Sequence, residues 1–244
     1  MGDPEKTGAP IGALTVPEYG AERAKSISRQ AAGPAEAGNP WPFEGREKPA
    51  DFPGPAGAAA DDGTTHISVV DKDRNAVALT QTNLAYSGVV NPGVGVMMNN
   101  GIGWSCPLPG TVNTIAPHAR ALNNMTPIVL LKDGELAGAL GASGGRRIWT
   151  SVLQSLVHYI DQGMSLQEAV QAPRIHVEDD DVMIDGLFEY DTINGLKSRG
   201  HKVTIVNPRY DYAPYAEPNG IAVDGSDLRS AVYPVAKLTM AAGY

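Results

Sequence analysis

The chain has 244 residues, 42% of them hydrophobic, and it carries a formal net charge of −8 with an isoelectric point near 5.1. This length is sufficient for one sizeable hydrophobic core, or for one core with an appendage. The acidic balance argues against a nucleic-acid-binding protein, because such proteins usually present a basic field. No apolar run approaches the ~18 residues that indicate a transmembrane helix, so we expect no membrane span.

Cysteine and histidine usage argues against metal chemistry. The single cysteine, Cys106, can form neither an internal disulfide nor a cysteine-based zinc site. The five histidines are widely spaced and show no metal-ligand pattern, so we expect neither a metal nor another cofactor. The opening residues MGDPEKTGAP lack the basic start and apolar run of a signal peptide, and the sequence itself indicates no compartment.

Residues 1–63 differ in character from the rest of the chain. The stretch VPEYGAERAKSI predicts a short helix with Pro17 in its first turn. From about Gln30 to Gly63 the chain is crowded with Gly, Pro and Ala, which is typical of a flexible linker. We therefore predict two parts, a segment with a linker over 1–63 and a folded domain over 64–244.

The domain begins with strand-like patterns. Alternating apolar residues in HISVV and AVALTQT flank a polar turn and predict a hairpin. GVGVMMN predicts another strand, and TPIVLL and ELAGALGA predict a second hairpin that turns at Asp133-Gly134. HKVTIV and GIAVDG predict closing strands near the end of the chain.

Helical patterns lie between these strands. Apolar residues from Ile148 to Ile160 recur every three or four positions and predict an amphipathic helix. Ser165 and Glu168 form a capping-box pattern at the start of another helix, and a third is expected to end at Gly200. This order predicts sheets with helices packed outside them, and not an alternating parallel fold.

Thr64 is the first candidate for chemistry. A threonine hydroxyl is a weak nucleophile unless a base stands beside it. If the chain were cut between Gly63 and Thr64, the new α-amino group, with an ordinary pKa of about 8, would supply that base. A Gly-Thr junction before a strand is also an ordinary strand entrance, so these residues alone leave both interpretations open. His66 would face the same side of the strand as Thr64, and we expect it to be a packed core histidine.

The second candidate is GASGG, residues 141–145, which matches the G-x-S-x-G pattern of a serine nucleophile. Ser143 would then attack, with Asp185 and His201 as later acid and base. That motif belongs to a parallel sheet with helical crossovers, whereas short turns join the strands before Ser143. The same glycines could instead be a tight turn, or could present N–H groups at a helix start to an oxyanion.

Several ordered segments together resemble the small subunit of gamma-glutamyltranspeptidases, which are N-terminal nucleophile hydrolases: TTHISVVDKDRNAVALTQT, LNNMTPIVLLKDG, GASGGRRI, QAPRIH and GSDLRSAVYPVAKLTMAAGY. VPEYGAERAKSI resembles the last helix of the large subunit. The resemblance implies an α+β fold, a four-layer αββα sandwich that is incomplete without most of the large subunit. It also implies a large-subunit-type partner chain, and family members are often periplasmic or extracellular.

The resemblance further implies a mechanism. The chain would cleave itself between Gly63 and Thr64, and Thr64 would then attack a γ-glutamyl or related acyl amide, a small-molecule substrate of the kind met in glutathione metabolism. The acyl group would pass to water or to an amine acceptor. Thr82 matches the threonine that hydrogen-bonds the nucleophile, and Gly144 and Gly145 match the glycines whose amides form the oxyanion hole.

Departures from the family pattern concern the acyl group. Asn123 and Asn124 stand where the family has a serine pair that grips the substrate carboxylate, and an amide can still donate. The acid that reads the substrate's amino group is missing, and Trp104 stands in its place, offering apolar area or a cation–π contact. Asn83 lies one position from the family's asparagine. These departures favour the acylase-like branch, and an inactive truncated family fragment is the remaining alternative.

Overall fold

The computed structural model describes residues 3–33, 36–52, 63–84, 87–178, 180–211, 215–235 and 239–243. The chain forms two compact units, one made of residues 1–59 and 101–123 and the other of residues 60–100 and 124–244. The sequence boundary at Gly63–Thr64 concerns maturation of the chain and stays a prediction.

The first unit consists of short helices and turns. Its α-helices are α1 (Pro4–Thr7), α2 (Ile11–Leu14) and α3 (Pro17–Lys25), and its 3-10 turns are Trp41–Glu44 and Gly101–Trp104. Helix α3 confirms the helix predicted from VPEYGAERAKSI, with its proline at the start, where the missing N–H is not needed. The Arg120 guanidinium donates to the Asp3 carboxylate at 2.9 Å and so links the two chain segments of this unit.

Part of the stretch predicted as flexible linker is ordered. Trp41 is buried, the Phe52 ring packs edge-on against it with centroids 5.1 Å apart, and the Arg46 guanidinium lies 5.0 Å from its ring centroid. Composition alone predicts a flexible segment here, because Gly, Pro and Ala are numerous. A few aromatic rings nevertheless supply enough contact area to order part of it. The part of the predicted linker over 53–62 lies outside the described residues.

The second unit contains most of the regular structure. Its described strands are β1 (Thr64–Val70), β2 (Ala76–Thr82), β3 (Val90–Asn91), β4 (Val96–Met97), β5 (Ile128–Lys132), β6 (Glu135–Ser143), β7 (Ile175–Glu178), β8 (Asp181–Asp185), β9 (Lys202–Val206), β10 (Glu217–Asp224) and β11 (Asp227–Val232). Its α-helices are α4 (Ile148–Leu156), α5 (Leu166–Gln171) and α6 (Tyr190–Ser198).

The strands form one larger sheet, a hairpin and smaller sheets. The larger sheet is antiparallel with the order β11-β10-β6-β5, and β1 and β2 pair as a separate antiparallel hairpin. Strands β7, β8 and β9 form another sheet, in which β8 and β9 run parallel and are joined through α6. Both predicted hairpins are confirmed, and the second turns at Asp133-Gly134 with both residues at positive φ.

Helices α4 and α5 cover one face of the larger sheet. Their buried apolar side chains form a single core cluster with those of β6, β10 and β11 and of the residue before β10: Leu140, Ala142, Ile148, Val152, Leu166, Val170, Ala216, Ala222 and Ala231. The capping box at the start of α5 is confirmed. The apolar stripe predicted from Ile148 to Ile160 was wrong in part. Leu153 of α4 and Ile160 of the π-helical turn Val157–Asp161 that follows it are exposed, and the small Ser151 and Ser155 occupy the buried face of α4.

The hairpin β1–β2 packs on the other face of the larger sheet. Three layers of a sandwich follow: helices, the larger sheet, and the hairpin. The outward face of the hairpin carries aliphatic side chains that are 46% to 56% exposed, namely Ile67, Val69, Val77 and Leu79. The described residues thus supply only part of an αββα sandwich.

A glycine on β6 sets how closely the hairpin approaches the sheet. A Cβ built on Gly141 would lie 2.6 Å from Nε2 of His66 and closer still to two other ring atoms. Gly141→Ala should therefore displace the imidazole and destabilise the protein by about 1–3 kcal/mol, the range for overpacking. Urea unfolding followed by circular dichroism measures this effect.

Gly243→Ala is the matched control, because a Cβ at Gly243 meets no atom within 4 Å. Adding His66→Ala should recover part of the stability lost through Gly141→Ala, since the two residues compete for one space. An unchanged unfolding midpoint for Gly141→Ala would show that this contact does not control the packing.

Candidate active site

The start of β1 is fixed by its pairing with the end of β2. The Asn83 N–H donates to the Gly63 carbonyl at 3.4 Å, and Thr64 lies directly opposite Thr82 in the next pair. In an antiparallel ladder, the pair beside a hydrogen-bonded pair has its side chains closest together. Thr64 and Thr82 are therefore neighbours on one face of the hairpin.

The turn after β2 constrains both the glycine and the second threonine. Gly63 has φ +91°, and a Cβ there would lie 2.9 Å from the Leu84 carbonyl oxygen. Leu84 itself has φ +49°, and its N–H donates to the Thr82 hydroxyl at 2.9 Å. Because this hydroxyl accepts from Leu84, its own hydrogen remains available for a neighbouring oxygen.

His66 lies on the same inward face of β1 and is fully engaged. Its Nδ1 is 2.7 Å from the Thr80 hydroxyl and its Nε2 is 3.0 Å from the Ser68 hydroxyl. Burial lowers the pKa of His66 to about 4, because water no longer stabilises the charged ring. His66 is therefore a neutral, packed side chain near neutral pH, as predicted, and is poorly placed to act as a base.

Two open cavities meet at the Gly63–Thr64 peptide. The first, of about 370 Å³, is lined by Thr64, Thr65, His66, Ile67, Ser68, Ser143, Glu217, Asn219, Thr239 and Met240. The second, of about 450 Å³, is lined by Gly63, Thr65, Gln81, Thr82, Asn83, Val96 and Met97. The predicted cleavage point thus borders a cavity on each side.

The glycine pair follows the last residue of β6. Gly144 has φ +132°, and a Cβ on it would lie 2.5 Å from Cα of Ala216, so only glycine fits there. Gly145, with φ +60°, opens a 3-10 turn that runs into α4. Among the described residues, no acceptor takes the N–H of Gly144 or of Gly145. Ser143, the residue before this pair, lines the Thr64 cavity.

The geometry disfavours Ser143 as nucleophile. Strand β6 is antiparallel to both β5 and β10, whereas the G-x-S-x-G elbow requires a parallel sheet. No hydrogen bond joins Ser143 to Asp185 or to His201 in the described chain, and the Asp185 carboxylate instead accepts from the Leu187 N–H at 2.9 Å. Ser143 contributes to the cavity wall without a base beside it.

The remaining predicted residues are distributed over both units. Asn83 lines the second cavity, and its carbonyl accepts from the Asn100 N–H at 3.0 Å. Asn124 is half-buried, and its side-chain nitrogen is buried with no partner among the described residues. Asn123 and Trp104 belong to the first unit, and the Trp104 carbonyl accepts from the Asn113 amide there. The substrate-binding roles of these residues stay predictions.

The structure adds two residues that the sequence patterns did not reveal. Asn219 on β10 donates to the His66 carbonyl at 3.3 Å, and Glu217 lies two positions earlier on the same strand. Burial raises the pKa of the Glu217 carboxyl above its ordinary value. The only sequence signal was the alternation of β10, which places both residues on one face but does not say what that face meets.

Two negative observations hold for the residues that the structure describes. No three or more His, Cys, Asp and Glu side chains gather where they would hold a metal ion. No helix within these ranges has the length and apolar character to cross a bilayer.

Sequence comparisons identify relatives of two kinds. The family described as Gamma-glutamyltranspeptidase matches residues 1–237. A glutathione hydrolase proenzyme from Escherichia coli strain K12 is 34% identical over 222 residues, covering 84% of this chain and 36% of the relative. An acylase ACY 1 proenzyme from Pseudomonas sp. strain V22 is 41% identical over 155 residues, covering 63% of this chain and 27% of the relative. The chain thus spans about a third of the length of these relatives.

Solved structures share the fold. A gamma-glutamyltranspeptidase from Pseudomonas nitroreducens complexed with L-DON matches with a TM-score of 0.63 and 29% identity, over 74% of this chain and 100% of that one. A cephalosporin acylase from Bacillus halodurans matches with a TM-score of 0.78 and 26% identity, over 96% of this chain and 40% of that one. The predicted N-terminal nucleophile hydrolase fold is confirmed, and the chain belongs to the gamma-glutamyltranspeptidase family.

Proposed function

We propose that this chain is the catalytic, small-subunit-type portion of an amidohydrolase or acyltransferase, matured by cleavage between Gly63 and Thr64. The observation that carries the proposal is the position of Thr64. It opens a strand, faces an open cavity, lies opposite Thr82, and follows a glycine held at positive φ. The curated relatives are named as proenzymes, which supports maturation by cleavage.

The cleavage step uses groups already in place. The Thr64 hydroxyl attacks the Gly63 carbonyl carbon, and the peptide becomes an ester on the threonine oxygen with a free Thr64 amine. Water then hydrolyses the ester and leaves a carboxylate on Gly63. The Asn83 N–H, which donates to the Gly63 carbonyl oxygen, is positioned to stabilise the negative charge that develops there.

The same residue then carries out catalysis. The freed Thr64 amine takes the proton of its own hydroxyl, and the oxygen attacks the acyl amide of a substrate. The N–H groups of Gly144 and Gly145 receive the oxyanion, a contribution of about 3 kcal/mol per donor. The amine returns the proton to the leaving nitrogen, and water or an amine acceptor then releases the acyl group from the threonine ester.

His66 cannot replace the amine as base. Both its ring nitrogens are within hydrogen-bond distance of hydroxyls, and its pKa of about 4 makes it a poor proton acceptor near neutral pH. The Thr82 hydroxyl, whose hydrogen is available, supports the attacking oxygen of Thr64. This assignment leaves the liberated amine as the basic group beside the nucleophile.

The acyl group and the partner follow from the relatives and from the length of the chain. Both glutathione hydrolases and acylases are relatives, so we propose a γ-glutamyl amide or a related acyl amide as the substrate class. We further propose a large-subunit-type partner, because the chain spans about a third of those relatives. Asn83 and Asn124 of the second unit are the proposed contacts for the acyl group, and the substrate-binding roles of Asn123 and Trp104 stay predictions.

Replacing the nucleophile tests cleavage directly. Thr64→Ala removes the attacking hydroxyl, so the chain should remain intact at 25.6 kDa and show no amidase activity. Ser143→Ala, a matched loss of one hydroxyl in the same cavity, should still yield a chain that starts at Thr64. N-terminal sequencing and intact mass distinguish these outcomes. An active Thr64→Ala with an inactive Ser143→Ala would establish the serine mechanism instead, and an uncut, inactive parent would indicate a non-catalytic fragment.

Replacing the proposed backbone donor tests the cleavage geometry. Asn83→Pro deletes the N–H that donates to Gly63, so cleavage should slow by about 10²- to 10³-fold, as when one oxyanion donor is lost. Asn83→Ala keeps this N–H and serves as the control. The time course of cleavage by gel electrophoresis measures both, with circular dichroism to check folding. Equal rates for the two variants would assign the Gly63 oxygen another donor.

A further inference from the structure

We propose that Glu217 is the anionic specificity group of the Thr64 cavity, whose carboxylate binds a primary ammonium group on the acyl portion of the substrate. This inference rests on the proposed function of Thr64. It adds a residue that neither the family pattern nor the sequence motifs indicated, and it predicts which acyl amides this chain prefers.

The direction of the Glu217 side chain follows from its strand. On β10, Pro218, Gly220 and Ala222 are buried, and Ala222 belongs to the core that faces the helices. The alternate residue Asn219 points the other way, because its amide reaches the His66 carbonyl on the hairpin. Glu217 is two positions from Asn219 and therefore also faces the hairpin.

The position of Glu217 along the strand places it near the proposed chemistry. Glu217 lies directly opposite Ser143, the residue that precedes Gly144 and Gly145. It lines the same cavity as Thr64. An acyl group attached to Thr64, with its carbonyl oxygen at the glycine N–H groups, would lie beside this carboxylate.

The Glu217 carboxylate has no cationic partner among the described residues. It is half-buried, and loss of water is the cause of its raised pKa. Among the ion pairs of the described residues, none includes Glu217. By contrast, the half-buried carboxylate of Glu178 is paired with both Arg146 and Arg147. A substrate ammonium would supply the charge that Glu217 lacks, in a partly dehydrated site where such a pair is strong.

The described groups around Glu217 do not supply that charge. Tyr233 is close enough for the Glu217 charge to raise the pKa of its hydroxyl, and a neutral phenol carries no positive charge. His66 and Asn219 line the same cavity, but His66 is neutral near pH 7 and its ring nitrogens contact hydroxyls. After cleavage the Thr64 amine enters this environment, and it must remain neutral to act as a base.

Two anilides that differ only in the ammonium group test the inference. γ-Glutamyl-p-nitroanilide carries this group, and glutaryl-p-nitroanilide has hydrogen in its place. Glu217→Gln keeps the shape and removes the charge, so kcat/KM for the γ-glutamyl compound should fall about 10- to 100-fold, mainly through KM. The value for the glutaryl compound should change less than about threefold. Glu135→Gln, at the exposed far end of β6, is the matched control and should alter neither.

The ratio of the two kcat/KM values decides the outcome. An unchanged ratio in Glu217→Gln, with both substrates equally affected, would overturn the inference and would point instead to an effect on Thr64 or on folding. A different observation would contradict the proposed function, namely the absence of any chain that starts at Thr64.

Binding to a protein that cannot turn over gives a second measurement. Titration calorimetry of both anilides onto Thr64→Ala, with and without Glu217→Gln, needs no cleavage or activity. We expect Glu217→Gln to weaken the binding of the γ-glutamyl compound and to leave that of the glutaryl compound unchanged. Equal affinity for the two anilides in the parent Thr64→Ala protein would overturn it.

Discussion

The contact between the His66 ring and the bare backbone of Gly141 determines how the hairpin lies on the larger sheet. Two facing sheets normally stand about 10 Å apart, a space that side chains from both faces share. Here the imidazole fills it from one side, because Gly141 has no side chain to place there. Asn219 reinforces the contact by donating to the His66 carbonyl. His66 also lines the cavity in front of Thr64.

Burial affects the polar groups of this cavity in different ways. His66 is kept neutral by burial, and its ring nitrogens contact hydroxyls, so it acts as a structural polar group within the sandwich. Glu217 lies at the cavity wall, and burial raises the pKa of its carboxyl group. The Thr64 residue shares this cavity with both groups, and Thr82 lines the neighbouring cavity.

Local sequence patterns predicted much of the fold and half of the site. Alternating apolar residues predicted β1 and β2, each of which has one face on the core, and the apolar segments around the Asp133-Gly134 turn predicted β5 and β6. The strands β7, β8 and β11 were not predicted, because charged residues interrupt their apolar pattern. The Glu178 carboxylate at the end of β7, for example, pairs with two arginines.

The candidate site shows the same division. Thr64 and the glycine pair carry local signals, namely a strand start and a turn before a helix. Glu217 and Asn219 lie about 150 residues along the chain from the hairpin that they face. Sequence periodicity does not show which sheet packs against which, so the positions of Glu217 and Asn219 at the site could be found only from the tertiary structure. The exposed residues of α4 illustrate the converse, since an apolar period does not reveal how much of a helix a neighbour covers.

The aliphatic outer face of the hairpin affects how the isolated chain would behave in solution. Ile67, Val69, Val77 and Leu79 lie side by side on a two-stranded ribbon with water on that side. Contiguous apolar surface of this kind favours self-association, and a ribbon this narrow has unpaired backbone groups along both margins. At high concentration, the isolated chain therefore needs a layer that covers this face if it is to stay dispersed. This holds whether or not catalysis also needs that layer.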